Sequence, residues 1–387
     1  MKKIIIIDSH PIQYYTPLYK EIVNSGKFDL EVWFCSKIGV ENYFDKEFNT
    51  NVKWDIPLLE GFNHVFLKNW SIFKNYEWPL LRLINLGLIW RLFKLEKSVI
   101  WVHSWGQISF ILAIIFAKLF GHTVCLRAET PLIHEKLKSN YYLLIRKFFL
   151  KIFFSAVDKF LFIGKENKLF YKFYGIKNDQ LIFSPYCVNN EFFRRQFIKY
   201  IDEVDKIKLE FNIPLDKKLI LTSGKLIQKK RPLDILKAFE LLDSNHFLIF
   251  LGGGSLETDL QNYIAQKQLS NVLITGFVNQ SAISKYYAIT DVYVMASHAG
   301  ETWGLSTNEI MNFNAALVIS DLVGCNSDLV VEDKNGYVYP CGNIVELKNS
   351  IERAFKLDKI NVQKINKLKM EEFSYQTIIN NLNFNKF

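Results

Sequence analysis

The sequence predicts an α/β protein of two doubly wound, parallel-sheet domains facing across a cleft. Three observations predict it. Short apolar runs, β-branched or aromatic, recur along the chain with helical patterns between the later ones. The alternation breaks near SPYCVNNEFFRR (184–195) and the charged KYIDEVDKIKLE (199–210), then resumes. The 387 residues exceed one ordinary core, whereas two domains of about 150 to 200 residues fit.

In the first half, KKIIIID (2–8), DLEVWFC (29–35), VIWV (99–102), TVCLR (123–127) and KFLFIG (159–164) read as buried strands. Helical patterns cover 80–95, 107–120 and 140–155. In the second half the strand candidates are KLILTS (218–223), FLIFLG (247–252), NVLIT (271–275), DVYVMAS (291–297) and ALVIS (316–320). A hinge at about 185–215 divides the chain into domains 1–190 and 191–365. The polar and aromatic tail, 366–387, is a further helix candidate that can cross back to the N-terminal domain.

Hydrophobic residues make up 49% of the chain, enough for two filled cores, and 33 Phe and 18 Tyr leave aromatics that can face a membrane. The net charge of +9 favours anionic partners: nucleic acid, phosphorylated ligands or a lipid surface. Nucleic acid is not expected, because zinc-finger spacing, an Arg-rich arm and an RNA-binding signature are all missing. Five scattered cysteines without CxxC spacing point to reduced thiols and the cytosol. The apolar run before Asp8 is too short for a signal peptide, and ISFILAIIFA (108–117) is shorter than the ~20 residues a spanning helix needs.

In doubly wound sheets ligands bind beyond the carboxyl ends of strands. GETWGLSTNE (300–309) lies there, between a strand end and a helix starting near Gly304. A helix N-terminus offers free N–H groups to phosphate, and a glycine at 304 lets backbone approach an anion. Glu309, one to two turns in, can accept two hydrogen bonds from a ribose diol, and Glu301 can meet hydroxyls beyond the phosphates. The interval fits a diol, a diphosphate and a second polyol, although paired glutamates eight apart also occur by chance on solvated helices. GKLIQKKRP (224–232) adds Gly224 for a tight turn, and Lys225, Lys229, Lys230 and Arg231 for a diphosphate; a solvated basic loop is the other reading. FLGGGSLETDL (250–260), with Gly252, is strand, glycines and helix, and its glycines can serve only a turn. TGFVNQ (275–280) is another strand exit, whose backbone at Gly276, Phe277 and Val278 can meet a flat base.

Taken in order, GKLIQKKRP, LGGGSL, GFV and ETWGLSTNEIMNFNAALVISDLVGCNSDLV resemble the donor-binding half of GT-B fold glycosyltransferases, specifically glycosyltransferase family 4. HPIQYYTPLYKEI (10–22) and FDKEFNTNVKWDIPLLEGF (44–62) resemble a bacterial branch of that family. The resemblance implies the GT-B fold, two Rossmann-like domains. It also implies that Glu301 contacts donor-sugar hydroxyls, that Glu309 binds the ribose, and that amides near Gly304 and Leu305, with Thr302 and Trp303 beside them, cradle phosphate. Lys225 stands where the family usually has Arg, and loses the bidentate fork; Lys230 matches the family lysine. Arg231 replaces a glycine common after that lysine, which leaves room for a third cation or for a helix start shifted by one.

The first loop, DSHPIQYYTPL, lacks the family's glycines, yet His10, Gln13 and Tyr14 can line the acceptor side. His103, in WVHSWGQ, matches a family histidine near the transferred sugar, and is otherwise a structural residue. Arg127 and Glu129, in RAET, serve the acceptor or pair with each other.

The resemblance implies retention of anomeric configuration by same-face displacement, with charge on the departing diphosphate stabilised by Lys225, Lys230 and the helix N-terminus. No Asp-x-Asp pair suggests a metal, so no cofactor is expected beyond a UDP- or GDP-sugar donor. The expected acceptor is a saccharide or lipid-linked saccharide in surface-glycan assembly. The basic, aromatic stretches 80–97 and 140–154 read either as membrane-surface helices on the anionic inner leaflet or as core-packing helices with lysines at their edges. The competing readings of function are a nucleotide-sugar epimerase or phosphorylase on the same fold, and a non-catalytic scaffold.

Overall fold

The computed structural model describes residues 1–40, 43–45, 50–52, 54–73 and 78–382. Residues 46–49 and 53, part of the stretch quoted at 44–62, lie outside the described residues. The chain forms two compact units: Met1–Tyr43 with Ile56–Pro185 and Tyr375–Phe387, and Phe44–Asp55 with Tyr186–Ser374. These bounds stand beside the sequence divisions at 190/191 and 365/366. Two features have no counterpart in the sequence reading: the early segment Phe44–Asp55 groups with the second unit, and the tail is two helices, Lys359–Glu372 and Tyr375–Asn381, of which only the latter groups with the first unit.

The strands in chain order are β1 (Lys2–Asp8), β2 (Phe28–Phe34), β3 (Tyr43–Asp45), β4 (Thr50–Val52), β5 (Asn63–Phe66), β6 (Val99–Val102), β7 (Thr123–Leu126), β8 (Lys159–Phe162), β9 (Leu181–Phe183), β10 (Lys218–Ser223), β11 (His246–Leu251), β12 (Val272–Ile274), β13 (Val292–Met295), β14 (Ala316–Ser320) and β15 (Gly336–Tyr339). The first unit carries a seven-stranded sheet, β5-β2-β1-β6-β7-β8-β9, parallel in all its recorded pairings. The second carries a six-stranded parallel sheet, β12-β11-β10-β13-β14-β15. β3 and β4 form a separate pair.

Every strand read from the sequence is present within about two residues at its ends, as boundaries based on pattern allow. The runs of buried aliphatics made them legible: Ile4 to Ile7 are 0% exposed, as are Leu219 to Leu221. The strands the sequence reading missed are β3 and β4, which form their own pair, and β5, β9 and β15, which are edge strands of only three or four residues. The region 184–210 contains a division between the two units, at Pro185/Tyr186. It holds the helices Asn190–Tyr200 and Val204–Glu210, and Asn190 Nδ2 donates to the carbonyls of Met370 and Phe373, tying the start of the second unit to its end. The helical pattern at 80–95 resolves into a 3-10 turn, Pro79–Leu81, and the helix Gly87–Lys94.

Each sheet reverses its winding once. In the first, the chain runs β1 to β2 to β5, then turns back from β6 to β9, so β1 and β6 flank the switch. In the second, β10 and β13 flank it. The two loops that leave such a pair diverge to opposite faces and open a crevice at the carboxyl edge. The chemistry-bearing residues found in the sequence follow β10 and β13 in one unit, and β1, β6 and β7 in the other.

Candidate active site

In the second unit the loops at the switch are bound to each other. His298 N–H donates to the Lys229 carbonyl at 3.0 Å, across from the β13 loop to the β10 loop. The backbone of 301–303 is pinned from behind, because Gly324 N–H donates to Glu301 O and Cys325 N–H to Trp303 O. A Cβ at Gly324 would lie 1.8 Å from the Thr302 carbonyl, so only glycine permits that approach. This architecture holds Glu301 against the cation cluster: its Oε2 is 2.5 Å from Lys230 Nζ and 3.8 Å from Lys229 Nζ. Lys225, Lys230 and Ser297 line one small pocket with Gly224. Within it the Ser297 Oγ is buried with no hydrogen-bond partner among the described residues, an acceptor or donor left for a ligand.

Gly304 adopts φ +99° as the residue before the helix Leu305–Met311. Its glycine is required by that angle and by packing, since a Cβ would meet Met295 Sδ at 2.5 Å. The sequence reading gives this glycine to close approach of an anion; on the side where a Cβ would stand its neighbours are Met295 and Val323. The helix is seven residues long, so its dipole is weaker than that of a full-length helix, and the lysines carry more of the positive charge. Trp303 is 2% exposed, with Nε1 donating to Asn308 Oδ1 at 2.8 Å and its ring against Phe373 and Tyr186. Its side chain is therefore an anchor, and its backbone remains as a ligand contact, with Thr302 and the backbone of Leu305.

Glu309 lies beneath the loop and is 2% exposed. Tyr287 Oη donates to its Oε2 at 2.7 Å. Burial pushes the Glu309 carboxyl up from 4.5 to about 7, against the lowering effect of that hydrogen bond. Tyr287 was not legible in the sequence: SKYYAIT reads as an ordinary helix, and only packing aims this ring at the acid.

The triple glycine joins loops rather than merely turning. A Cβ on Gly252 would sit 2.1 Å from Gly224 O, and one on Gly254 2.6 Å from Leu226 O. Leu226 N–H donates to Gly253 O across the same seam. Arg231 is not a third cation for the cluster. It adopts the left-handed conformation (φ 49°, ψ 48°) before Pro232–Glu240, and its guanidinium pairs with Asp234. That backbone angle explains a glycine at this position in the resembling family.

Gly276, Phe277 and Val278 form the exit from β12, and Gly276 has φ +69°. The early segment meets these loops. Asp45 pairs with Lys225 at 3.1 Å, the Trp54 ring lies 6.2 Å from that of Phe277, and Ser281 N–H donates to Asp55. Asp45 thus competes with any anion for Lys225. Asp45→Asn should lower the KM of an anionic donor about two- to fivefold, the scale of one partly exposed ion pair, with kcat unchanged; steady-state kinetics at fixed acceptor checks this.

In the first unit the β1, β6 and β7 loops assemble a second polar group. Tyr19 Oη donates to Asp8 Oδ2 at 2.7 Å and lies 3.3 Å from His103 Nε2. With the tyrosine proton spent on Asp8, the histidine must be the donor in the second contact. Burial and the Arg127 charge hold the His103 imidazole well below its usual value, so it is neutral and its Nδ1 is an acceptor. It stacks on Trp101, and the Tyr15 ring lies tilted against it at 4.5 Å. Burial raises Asp8 to about 6. The Tyr15 hydroxyl donates to Glu129, and the Tyr14 carbonyl accepts from Tyr375. Arg127 lies over the Tyr15 ring and donates to Pro185 O. His10 Nδ1 is 2.9 Å from Ser9 Oγ, and burial, with help from Arg82, lowers it to about 4. Gln13 Oε1 is buried without a partner among the described residues. Asp8 and Tyr19 were missed, although a carboxylate ending an apolar strand is a signal of the kind used for the second unit. The proposed catalytic residues thus divide between the units, with His103 in one and Lys225, Lys230 and Glu301 in the other. Among the described residues, no group of three or more His, Cys, Asp or Glu is placed to hold a metal ion.

Two parallel, doubly wound sheets with their ligand-bearing loops at each switch point define the GT-B class of fold. Residues 203–370, most of the second unit, match the family model described as glycosyl transferases group 1. No curated protein is matched in sequence. Among solved structures, Anabaena Alr3699/HepE in complex with UDP and glucose is similar over 98% of both chains, at 13% identity and a TM-score of 0.72. The sucrose-phosphate synthase of Thermosynechococcus elongatus is similar over 98% of this chain and 96% of its own, at 14% identity and 0.66. The lipopolysaccharide outer core galactosyltransferase WaaB is similar over 100% of both, at 14% and 0.64. These likenesses establish the GT-B fold.

Proposed function

We propose that the protein is a retaining glycosyltransferase that moves a hexosyl or N-acetylhexosaminyl group from a UDP- or GDP-sugar to a saccharide or lipid-linked saccharide. The observation that carries this reading is the second unit's switch point, where Lys225, Lys230 and the unpartnered Ser297 hydroxyl share a pocket beside Glu301, with Glu309 buried close by in sequence. The family match over 203–370 falls on these residues and supports it.

Lys225 and Lys230 hold the diphosphate as point charges, helped by the Ser297 hydroxyl and the amides after Gly304. Glu309 accepts the ribose diol, the backbone of 276–278 meets the base, and Glu301 holds hydroxyls of the sugar. The lysines neutralise the departing diphosphate, so a divalent ion is not required. On the first unit, His103 offers Nδ1 as an acceptor to a sugar hydroxyl, while Gln13, Arg127 and Glu129 serve the acceptor. The leaving diphosphate takes the acceptor proton as the bond forms on the same face. Surface-glycan assembly at the inner leaflet suits the basic, aromatic chain.

The test is a thermal-shift screen against UDP, GDP and their sugars, followed by transfer assays with NMR of the product anomer. One nucleotide family should raise Tm by several degrees and support transfer in EDTA with the anomer retained. Absence of any nucleotide shift would remove the donor-site assignment and favour a scaffold; activity abolished by EDTA would remove the metal-free reading; an inverted product would remove the retaining one.

A further inference from the structure

The helices Gly87–Lys94, Ile108–Leu119 and Asn140–Phe154 share one face of the first sheet. Their inward residues, among them Leu92, Ala113 and Leu150, join a single core cluster with Ile100, Val124 and Phe160. Their outward residues include large apolar side chains among the lysines and arginines, where the outer face of a helix in water should be polar throughout. On Asn140–Phe154, Leu144, Phe148 and Phe149 are 70%, 65% and 63% exposed, and Tyr141 and Ile152 are exposed as well. Trp90 and Phe93 stack in the open on Gly87–Lys94, and Phe93 packs edge-on against Phe120 just past the exposed Leu119. Apolar surface on this scale marks an interaction site. Core packing, which the sequence left as one reading of 140–154, accounts for only a narrow stripe of that helix.

Charge identifies the partner. The three helices contain six Lys and Arg and no Asp or Glu. Arg146 and Lys118 are engaged by Glu135 and Asp158, which leaves Arg91, Lys94, Lys147 and Lys151 beside the aromatics. Lysine is depleted at protein interfaces, whereas lysines neighbouring Phe and Trp suit a bilayer, with stems among the acyl chains and ammonium groups among phosphates. No helix among the described residues is long and apolar enough to cross a membrane. We propose that these three outer faces form a docking surface for an anionic lipid bilayer, on which they lie in the interfacial plane with Trp90, Phe93, Phe148 and Phe149 inserted.

This names the surface behind the membrane contact proposed above, and it fails or stands independently of the donor site. Full-length protein is floated with vesicles of phosphatidylcholine alone, or with about 30% phosphatidylglycerol. Binding should be at least about tenfold tighter to the anionic vesicles and weaken at high salt without vanishing. Phe148→Glu with Phe149→Glu should lose at least about tenfold in binding while keeping Tm and any nucleotide-induced shift. The fluorescence lost in Trp90→Phe should be blue-shifted and quenched by brominated lipid. The proposal is overturned if wild type does not float with anionic vesicles, if the double variant floats equally well, or if sedimentation shows a dimer that the double variant dissolves without any vesicle binding. Vesicle binding with no nucleotide shift would overturn the donor site alone.

Discussion

Glu309→Gln should raise the donor KM about ten- to a hundredfold and, at pH 8, raise Tm. Both effects come from one buried charge. The carboxyl is 2% exposed, and burial moves it from 4.5 to about 7. Between those values the folded protein holds a proton that the unfolded chain has released, so stability falls as pH rises through that window and stays reduced above it. The displacement is worth about 3 kcal/mol. Glutamine removes the charge and still accepts from Tyr287, at the cost of an amide group needing partners of its own, so the net gain is smaller: about 2 °C or more in Tm at pH 8, gone by pH 4.5. The KM rises because an ionised carboxylate accepting two ribose hydroxyls makes charge-assisted bonds, each worth about 1.5–3 kcal/mol. The wild-type donor KM should therefore climb as pH drops below about 7, while the variant's stays flat. Unchanged KM would remove Glu309 from the ribose site; a lower Tm at both pH values would mean that the charge is not a cost in the fold.

That a group should weaken the fold and serve the ligand is characteristic of a site, and it bears on what could be read from the sequence. Strand cores announced themselves through runs such as IIII at 4–7, because burial on both faces admits little else. Glu301 and Glu309 were legible through spacing from a strand end, and Lys225 and Lys230 through density of charge. What stayed hidden depended on tertiary packing. Tyr287 is 22 residues from Glu309 and meets it only once the sheet has wound. Tyr19 bridges Asp8 and His103 for the same reason. The packing duties of Gly304 and Trp303 were not legible, because glycine and tryptophan serve packing and ligands alike, and only Met295 and Asn308 show the packing side. The return of Tyr375–Phe387 to the first unit was anticipated as a crossing tail, but the break at Phe373–Ser374 was not, since neither residue is a helix breaker by type.

Lys230→Ala should lower kcat about a hundred- to a thousandfold with a smaller change in donor KM. Its ammonium sits 2.5 Å from Glu301 Oε2 in the pocket it shares with Gly224 and Lys225. A bound diphosphate already carries charge, but the departing one carries more, so a cation aimed at it favours the transition state over the ground state. Removing one pre-set group of this kind costs about 2.7–4 kcal/mol in other enzymes. Lys229, 3.8 Å from the same carboxylate oxygen, can take up part of the load, which argues for the lower end of the range. Lys225 is held by Asp45 and should act more on binding, so Lys225→Ala ought to raise KM more than it lowers kcat. Lys230→Arg should restore part of the rate, since it returns charge but not the compact head. The structural explanation is separated by Tm: the pair is partly buried and Lys229 stays 3.8 Å from Glu301, so a variant that melts near the wild type yet turns over slowly has lost chemistry. Wild-type kcat in Lys230→Ala would mean that this loop does not face the breaking bond, and the donor orientation proposed for the second unit would have to be reversed.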